Sequence, residues 1–238
     1  MRYIIFLFSL LICTTLSGQI DLLKQSRNKA HTFIKKNNKL TESEIAEGLT
    51  EVLIQGANKA VRLASENGGF TTNNLIRIPF PEDAEKMKDV LIKYGMSNQV
   101  SIFENKMNLA AEKASKKALD IFLHVIQMLT IDDAVNILKG EDNAATNFLK
   151  KETSEKLYVQ FKPIITNVIA EIQVTKYWNS LAKKYNKLPL TKSVNTDLED
   201  YITNKAIQGI FVLIALEEKN IRTNTHARHS TLIKKIFK

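Results

Sequence analysis

The chain has 238 residues, with 34 Lys and Arg against 25 Asp and Glu, a formal charge of +9. It holds 8 Gly, 4 Pro and one Cys. A single cysteine excludes an intrachain disulfide, so the fold must rest on a packed core. The lysines are scattered and form no arginine-rich stripe with interleaved aromatics, so nucleic acid is not expected as a partner.

Residues 3–16, YIIFLFSLLICTTL, are an unbroken apolar run behind Arg2. A basic start, a short apolar stretch and small residues after it predict a secretory signal peptide over 1–18. The run is shorter than the roughly 20 residues a membrane-spanning helix needs. Cleavage after Ser17 places Thr15 and Ser17 at the two preferred positions, and cleavage after Gly18 leaves Gln19, so the site is expected near Ser17–Gln19. Bulky Ile12 precedes Cys13, which departs from a lipobox, and a lipoprotein is not expected. The expected location is the periplasm or the exterior. Loss of residues 1–18 removes Arg2 alone from the basic residues and leaves a charge of +8.

After the leader, residues 19–40 predict a weakly amphipathic lead-in helix, and residues 41–238 one helical domain. Thr41 and Glu44 read as a capping box. The helix they open turns Ile45, Leu49, Val52, Leu53, Gly56, Ala60 and Leu63 inward and stops at Asn67-Gly68-Gly69. Gly56 and Ala60, one turn apart, suggest close approach by another helix.

Residues 70–81, FTTNNLIRIPFP, are the non-helical stretch, where Pro79 and Pro81 hold their predecessors extended. Pro81 suits the start of a helix over about 82–93, closed by Gly95. A long helix is predicted over about 99–128 with an alanine-rich seam, then a short one from Ile131 to Lys139 capped by Thr130 and ended by Gly140. A further short helix covers Ala144–Lys150. Thr153 or Ser154 starts the next, and Pro163 should bend or restart it. Trp178 and Leu181 continue the pattern to Lys187-Leu188-Pro189. Asp197 or Thr196 caps the last long helix. From Ala206 to Leu216 only Gln208 is polar, the mark of a central core helix. Thr231–Lys238 is a short basic amphipathic tail. It either covers an open end of the core or makes weak contact with a membrane surface. The sum is an all-α fold, a single bundle of about eight helices with one short extended connection.

Four strings then stand in a familiar order: Arg77-Ile78-Pro79-Phe80-Pro81, Met107-Asn108-Leu109-Ala110-Ala111-Glu112, Asp133-Ala134 with Ile137-Leu138-Lys139-Gly140 and Ala144-Ala145-Thr146, and Glu217-Glu218-Lys219-Asn220-Ile221-Arg222. Their order and spacing resemble a bacterial domain-of-unknown-function family, number 4197, over roughly residues 40–238. The resemblance implies an exported helical protein with no assigned activity and no catalytic residues to carry over.

The polar residues of these strings are the candidate site: Arg77, Asn108, Glu112, Asp133, Glu218 and Arg222. They either converge on a cleft for a polar or anionic ligand or pair internally and lock helices together, since a buried carboxylate needs a partner. In either case Arg77 and Arg222 should lie within ion-pair reach of Glu112 or Glu218. His226 and His229 stand three apart, but no further ligand type adjoins them, so no metal site is expected. His124, among Phe122, Leu123, Val125 and Ile126, reads as a core or boundary histidine. Nucleophile-elbow, zinc-protease, phosphate-loop and calcium-loop patterns are missing. No cofactor and no catalytic residue is implied. The reading is a non-enzymatic binding or structural module whose partner is an envelope ligand or protein. The alternatives are an envelope hydrolase with paired carboxylates and a membrane-surface protein.

Overall fold

Apolar residues at three- and four-residue steps give helices over most of the described residues. The computed structural model describes residues 40–187, 194 and 197–238. The expected leader, Cys13, the lead-in helix up to residue 39 and the stop at Leu188-Pro189 lie outside the described residues. Glu42–Lys238 is one compact unit. Its helices are α1 (Glu42–Ser65), α2 (Glu85–Lys93), α3 (Ser97–Ser115), α4 (Ala118–Gln127), α5 (Ile131–Lys139), α6 (Ala144–Glu171), α7 (Val174–Tyr185), α8 (Leu198–Thr223) and the six-residue α9 (Thr231–Ile236). No strand occurs among the described residues. No single helix there is long and apolar enough to cross a membrane.

The central helix is α8, as its apolar middle predicts. It packs against α1, α3 and α6. Asp197 caps it, accepting the Asp200 amide at 3.0 Å. Around it, α1 also meets α4, α5 and α9, while α7 packs on α2 and α3. Phe80, Phe103 and Trp178 stack with centroids 5.3–5.7 Å apart and tie the 70–81 connection to α3 and α7. In the tail, Ile233 and Ile236 are buried, and α9 lies on α1.

Three boundaries differ from expectation. The helix expected over 99–128 is two, α3 and α4, broken at Lys116-Lys117. The hydroxyl of buried Ser115, just before the break, donates to the Ala111 carbonyl at 2.7 Å. Conversely, the two helices expected from Ala144 are one. Thr153 and Ser154 do not cap a start; their hydroxyls donate back to Leu149 and Lys150 within α6. Pro163 sits inside α6 without ending it. It is exposed, so water can take the carbonyl it leaves free. The break comes instead at Gln173, whose φ is +60°.

Two smaller readings change as well. His124 is exposed, because α4 turns Phe122, Val125 and Ile126 inward and the histidine falls on the other side. At Gly56 a Cβ would meet nothing within 4 Å, so no close helix contact explains that glycine. The close approach lies at Gly209 in α8, where a Cβ would stand 2.8 Å from Phe70 Cε1 and 3.2 Å from Ile76 Cβ. The 70–78 loop rests directly on that backbone.

These two glycines predict opposite outcomes in urea unfolding. Gly209→Val overpacks the loop contact and should cost about 1–3 kcal/mol. Gly56→Ala gains helix propensity in free space and should stabilise by about 0.5–1 kcal/mol.

Candidate functional site

Every fourth residue of α3 from Glu104 to Glu112 is polar and buried: Glu104, Asn108 and Glu112. Such a stripe inside a core must find partners, and the 70–81 connection supplies them. Glu112 Oε1 accepts the Phe70 and Thr71 amides at 3.1 and 3.0 Å and the Thr71 hydroxyl at 3.0 Å. Asn108 accepts the Ile78 amide at 2.8 Å and donates to the Ile78 carbonyl at 2.9 Å, taking the place of a neighbouring strand. Glu104 pairs with Arg77 at 3.0 Å and with Lys88 of α2 at 3.0 Å. The loop thus runs antiparallel to α3, pinned at three successive turns.

A second cluster braces three helices. Glu218, 3% exposed, accepts the Ala145 and Thr146 amides at 2.9 and 2.8 Å and the Thr146 hydroxyl at 2.7 Å. These amides belong to the first turn of α6, which lacks intrahelical acceptors. Arg222, one turn on, pairs with Glu218 at 2.9 Å and donates to the Ile137 carbonyl at 2.9 Å in the last turn of α5. An anion meets a helix start and a cation meets a helix end, each complementing the local dipole. Arg228 closes α8 itself through the Ile221 and Arg222 carbonyls. Phe237 lies within 6 Å of both guanidiniums.

The sequence-predicted residues therefore do not share one cleft. Arg222 reaches Glu218 as expected. Arg77 reaches Glu104, not Glu112 or Glu218. Asp133 stands apart in the Thr130 capping box of α5. Sequence reasoning passed over Glu104, although it continues the four-residue spacing of Asn108 and Glu112. It also passed over Glu217, buried between Lys59, Gln55 and Asn220, whose neighbour Glu218 drew attention instead. Among the described residues no group of three or more His, Cys, Asp or Glu is placed to hold a metal ion. His226 lies in a 3-10 turn and His229 beyond it, both exposed, so they share no helical face.

What the two clusters position is an open groove. One stripe of α8, from Tyr201 through Gln208, Val212 and Ala215 to Lys219, is only partly covered: Gln208 and Lys219 are exposed, and Tyr201, Val212 and Ala215 half-buried. It extends about 27 Å at the helical rise. Four adjoining depressions line it, of about 470, 150, 440 and 710 Å³. Arg77 and Ile78, pinned by Glu104 and Asn108, form one wall. Thr146, held by Glu218, stands in the other. Leu216 (46% exposed) and Leu75 (65%) add apolar surface.

Carboxylates outnumber lysines at both ends of the groove, where Lys205 and Lys219 are the cations. Glu82, Asp83, Asp197 and Asp200 line the first depression, and Glu141 and Asp142 the last. Burial and the nearby Glu82, Glu85 and Asp83 push the Tyr201 phenol well above its ordinary range. Lys162 is raised by its hydrogen bond to Tyr158, with Asp197 and Asp200 acting in the same direction. The first depression's carboxylates are already engaged: Asp197 with the Asp200 amide, Asp200 with the Tyr158 hydroxyl, Glu82 with Lys205, and Asp83 in a further polar contact.

The chain belongs to the family described as a protein of unknown function, DUF4197, whose model matches residues 39–238. No curated protein and no solved structure matches it.

Removing one member of each cluster should separate their energies in urea unfolding. Asn108→Leu strands the Ile78 amide and carbonyl and is expected to cost about 1–3 kcal/mol for each unsatisfied group. Glu218→Ala leaves Arg222 unpaired between two helix ends and should cost about 3–5 kcal/mol. Arg222→Ala alone should cost a similar amount, and the double variant less than the sum of the two singles.

Proposed function

We propose that the protein is an exported, non-enzymatic binding module of the cell envelope, and that its working surface is the groove along α8. The reading rests on one observation. Glu112, Glu218 and Arg222 are occupied in holding backbone, while the central helix keeps a partly uncovered stripe between the walls they fix. The apolar run over residues 3–16 supports export.

The groove's chemistry selects its occupant. Acidic residues stand at both ends, and Val212, Ala215 and Leu216 lie between them. A polypeptide segment with lysines or arginines flanking apolar residues complements that pattern, and the length suits an amphipathic helix or an extended strand. Hydrolysis by paired carboxylates is the lesser reading. It is favoured only by the acid-lined depression at Tyr201, where internal hydrogen bonds and ion pairs engage the carboxyl groups.

Two measurements test this. In fluorescence titrations, a lysine–leucine amphipathic peptide should bind and its glutamate–leucine counterpart should not, with Ala215→Arg weakening binding at least tenfold. Equal binding of both peptides, or no effect of Ala215→Arg, would overturn the groove reading. Separately, intact mass of protein from the periplasmic fraction should show cleavage near Ser17–Gln19. An uncleaved chain confined to the cytosol would remove the envelope role.

A further inference from the structure

The charge of the chain is unevenly placed along its length. From Ile172 to Thr196 there are five lysines and no acidic residue. The bounding acids are engaged, Glu171 with Lys113 at 3.0 Å and Asp197 at the start of α8. The run includes α7, whose inner face is fixed: Val174, Trp178, Leu181 and Tyr185 are buried. Trp178 stacks on Phe80 and Phe103. With that face locked inward, Lys176, Lys183 and Lys184 are held outward and exposed, separated by the neutral Asn179 and Ser180, and Lys187 is exposed in the turn just past the helix. Lys176 contacts only the Gln173 amide oxygen, at 3.5 Å. Lys183, Lys184 and Lys187 have no ion pair among the described residues.

We propose that this α7 face is a docking surface for an anionic phospholipid bilayer. A helix presenting Lys176, Lys183 and Lys184 over about 12 Å, with Lys187 in the turn that follows it, meets a charged plane without any rearrangement. Anionic headgroups attract juxtaposed lysines through their surface potential. The alternative polyanion, a nucleic acid strand, is held by exposed aromatics on which bases stack. On α7 the Trp178 and Tyr185 rings are buried, and Tyr177 lies under the Lys106 ammonium at 5.0 Å. The C-terminal tail is the weaker competitor, because Ile233 and Ile236 are spent against α1 and Lys235 already pairs with Glu44. This surface is independent of the α8 groove.

Vesicle co-sedimentation at low salt tests the proposal. The protein is mixed with vesicles of phosphatidylcholine alone and of phosphatidylcholine with phosphatidylglycerol. Two variants of equal charge change are compared, Lys183→Gln/Lys184→Gln/Lys187→Gln and Lys234→Gln/Lys235→Gln/Lys238→Gln. All are used in the form lacking residues 1–18, as the proposed export implies, so the apolar run over residues 3–16 is absent from every sample, and circular dichroism checks that each is folded. The expected result is pelleting that requires phosphatidylglycerol and falls about a hundredfold in the α7 variant, at roughly fivefold per lysine, while the tail variant stays near wild type. Equal loss in both variants would mean net charge alone is sensed and would overturn the assignment. So would unchanged pelleting of the α7 variant, or single-stranded DNA binding that is stronger than vesicle binding and lost with the same three lysines.

Discussion

A polar stripe cannot be left inside an apolar core, and that constraint organises this protein. Glu104, Asn108 and Glu112 enter the interior on α3, and each must find donors or acceptors there. The connection between α1 and α2 meets the demand with its own backbone at Asn108 and Glu112 and with the Arg77 side chain at Glu104, so it is held in one conformation without regular secondary structure. Its apolar residues Phe70, Ile76, Ile78 and Phe80 then fill the core beside α8 and α3. Gly209 gives the floor on which they rest. The loop is thus a core element, and its hydrogen-bond partners are side chains where a sheet would have used a neighbouring strand.

The Glu218–Arg222 pair solves a related problem at the other end. Two helices meet there, one ending and one starting, and both expose unpaired backbone groups. A carboxylate and a guanidinium one turn apart on α8 reach them in opposite directions. The pair is bound to backbone on both sides, so it holds α5 and α6 against the central helix. With the loop pinned on one flank and α6 on the other, α8 keeps its middle stripe partly open to solvent. The groove is therefore a consequence of where the buried charges sit, and the two ends of its walls are fixed by the same residues that stabilise the fold.

Much of this was legible in the sequence. Helical periodicity gave the all-α class, the central helix and the extended connection. The Thr130 and Asp197 caps placed two helix starts, and Gly68, at φ +84°, marked the turn after α1. The polar residues of interest were also visible, because Asn108 and Glu112 interrupt an otherwise apolar seam. Their partners were not. Glu112 is satisfied by amides about forty residues away and Glu218 by amides about seventy away, and backbone groups carry no mark in a sequence. Reading charges only against other charges led Arg77 toward Glu112, when Glu104 stood nearer in space.

Composition and spacing by themselves determined the helical class, the order of elements and which polar residues must be buried, since these follow from local periodicity and from the cost of desolvating charge. Tertiary structure alone decided that α3 breaks before α4, that Pro163 is tolerated and that the polar residues divide into separate clusters. It also left one face of α8 partly uncovered and one face of α7 lined with unpaired lysines. Those outcomes depend on which surfaces meet, and contacts between distant segments are set by packing geometry that no local pattern encodes.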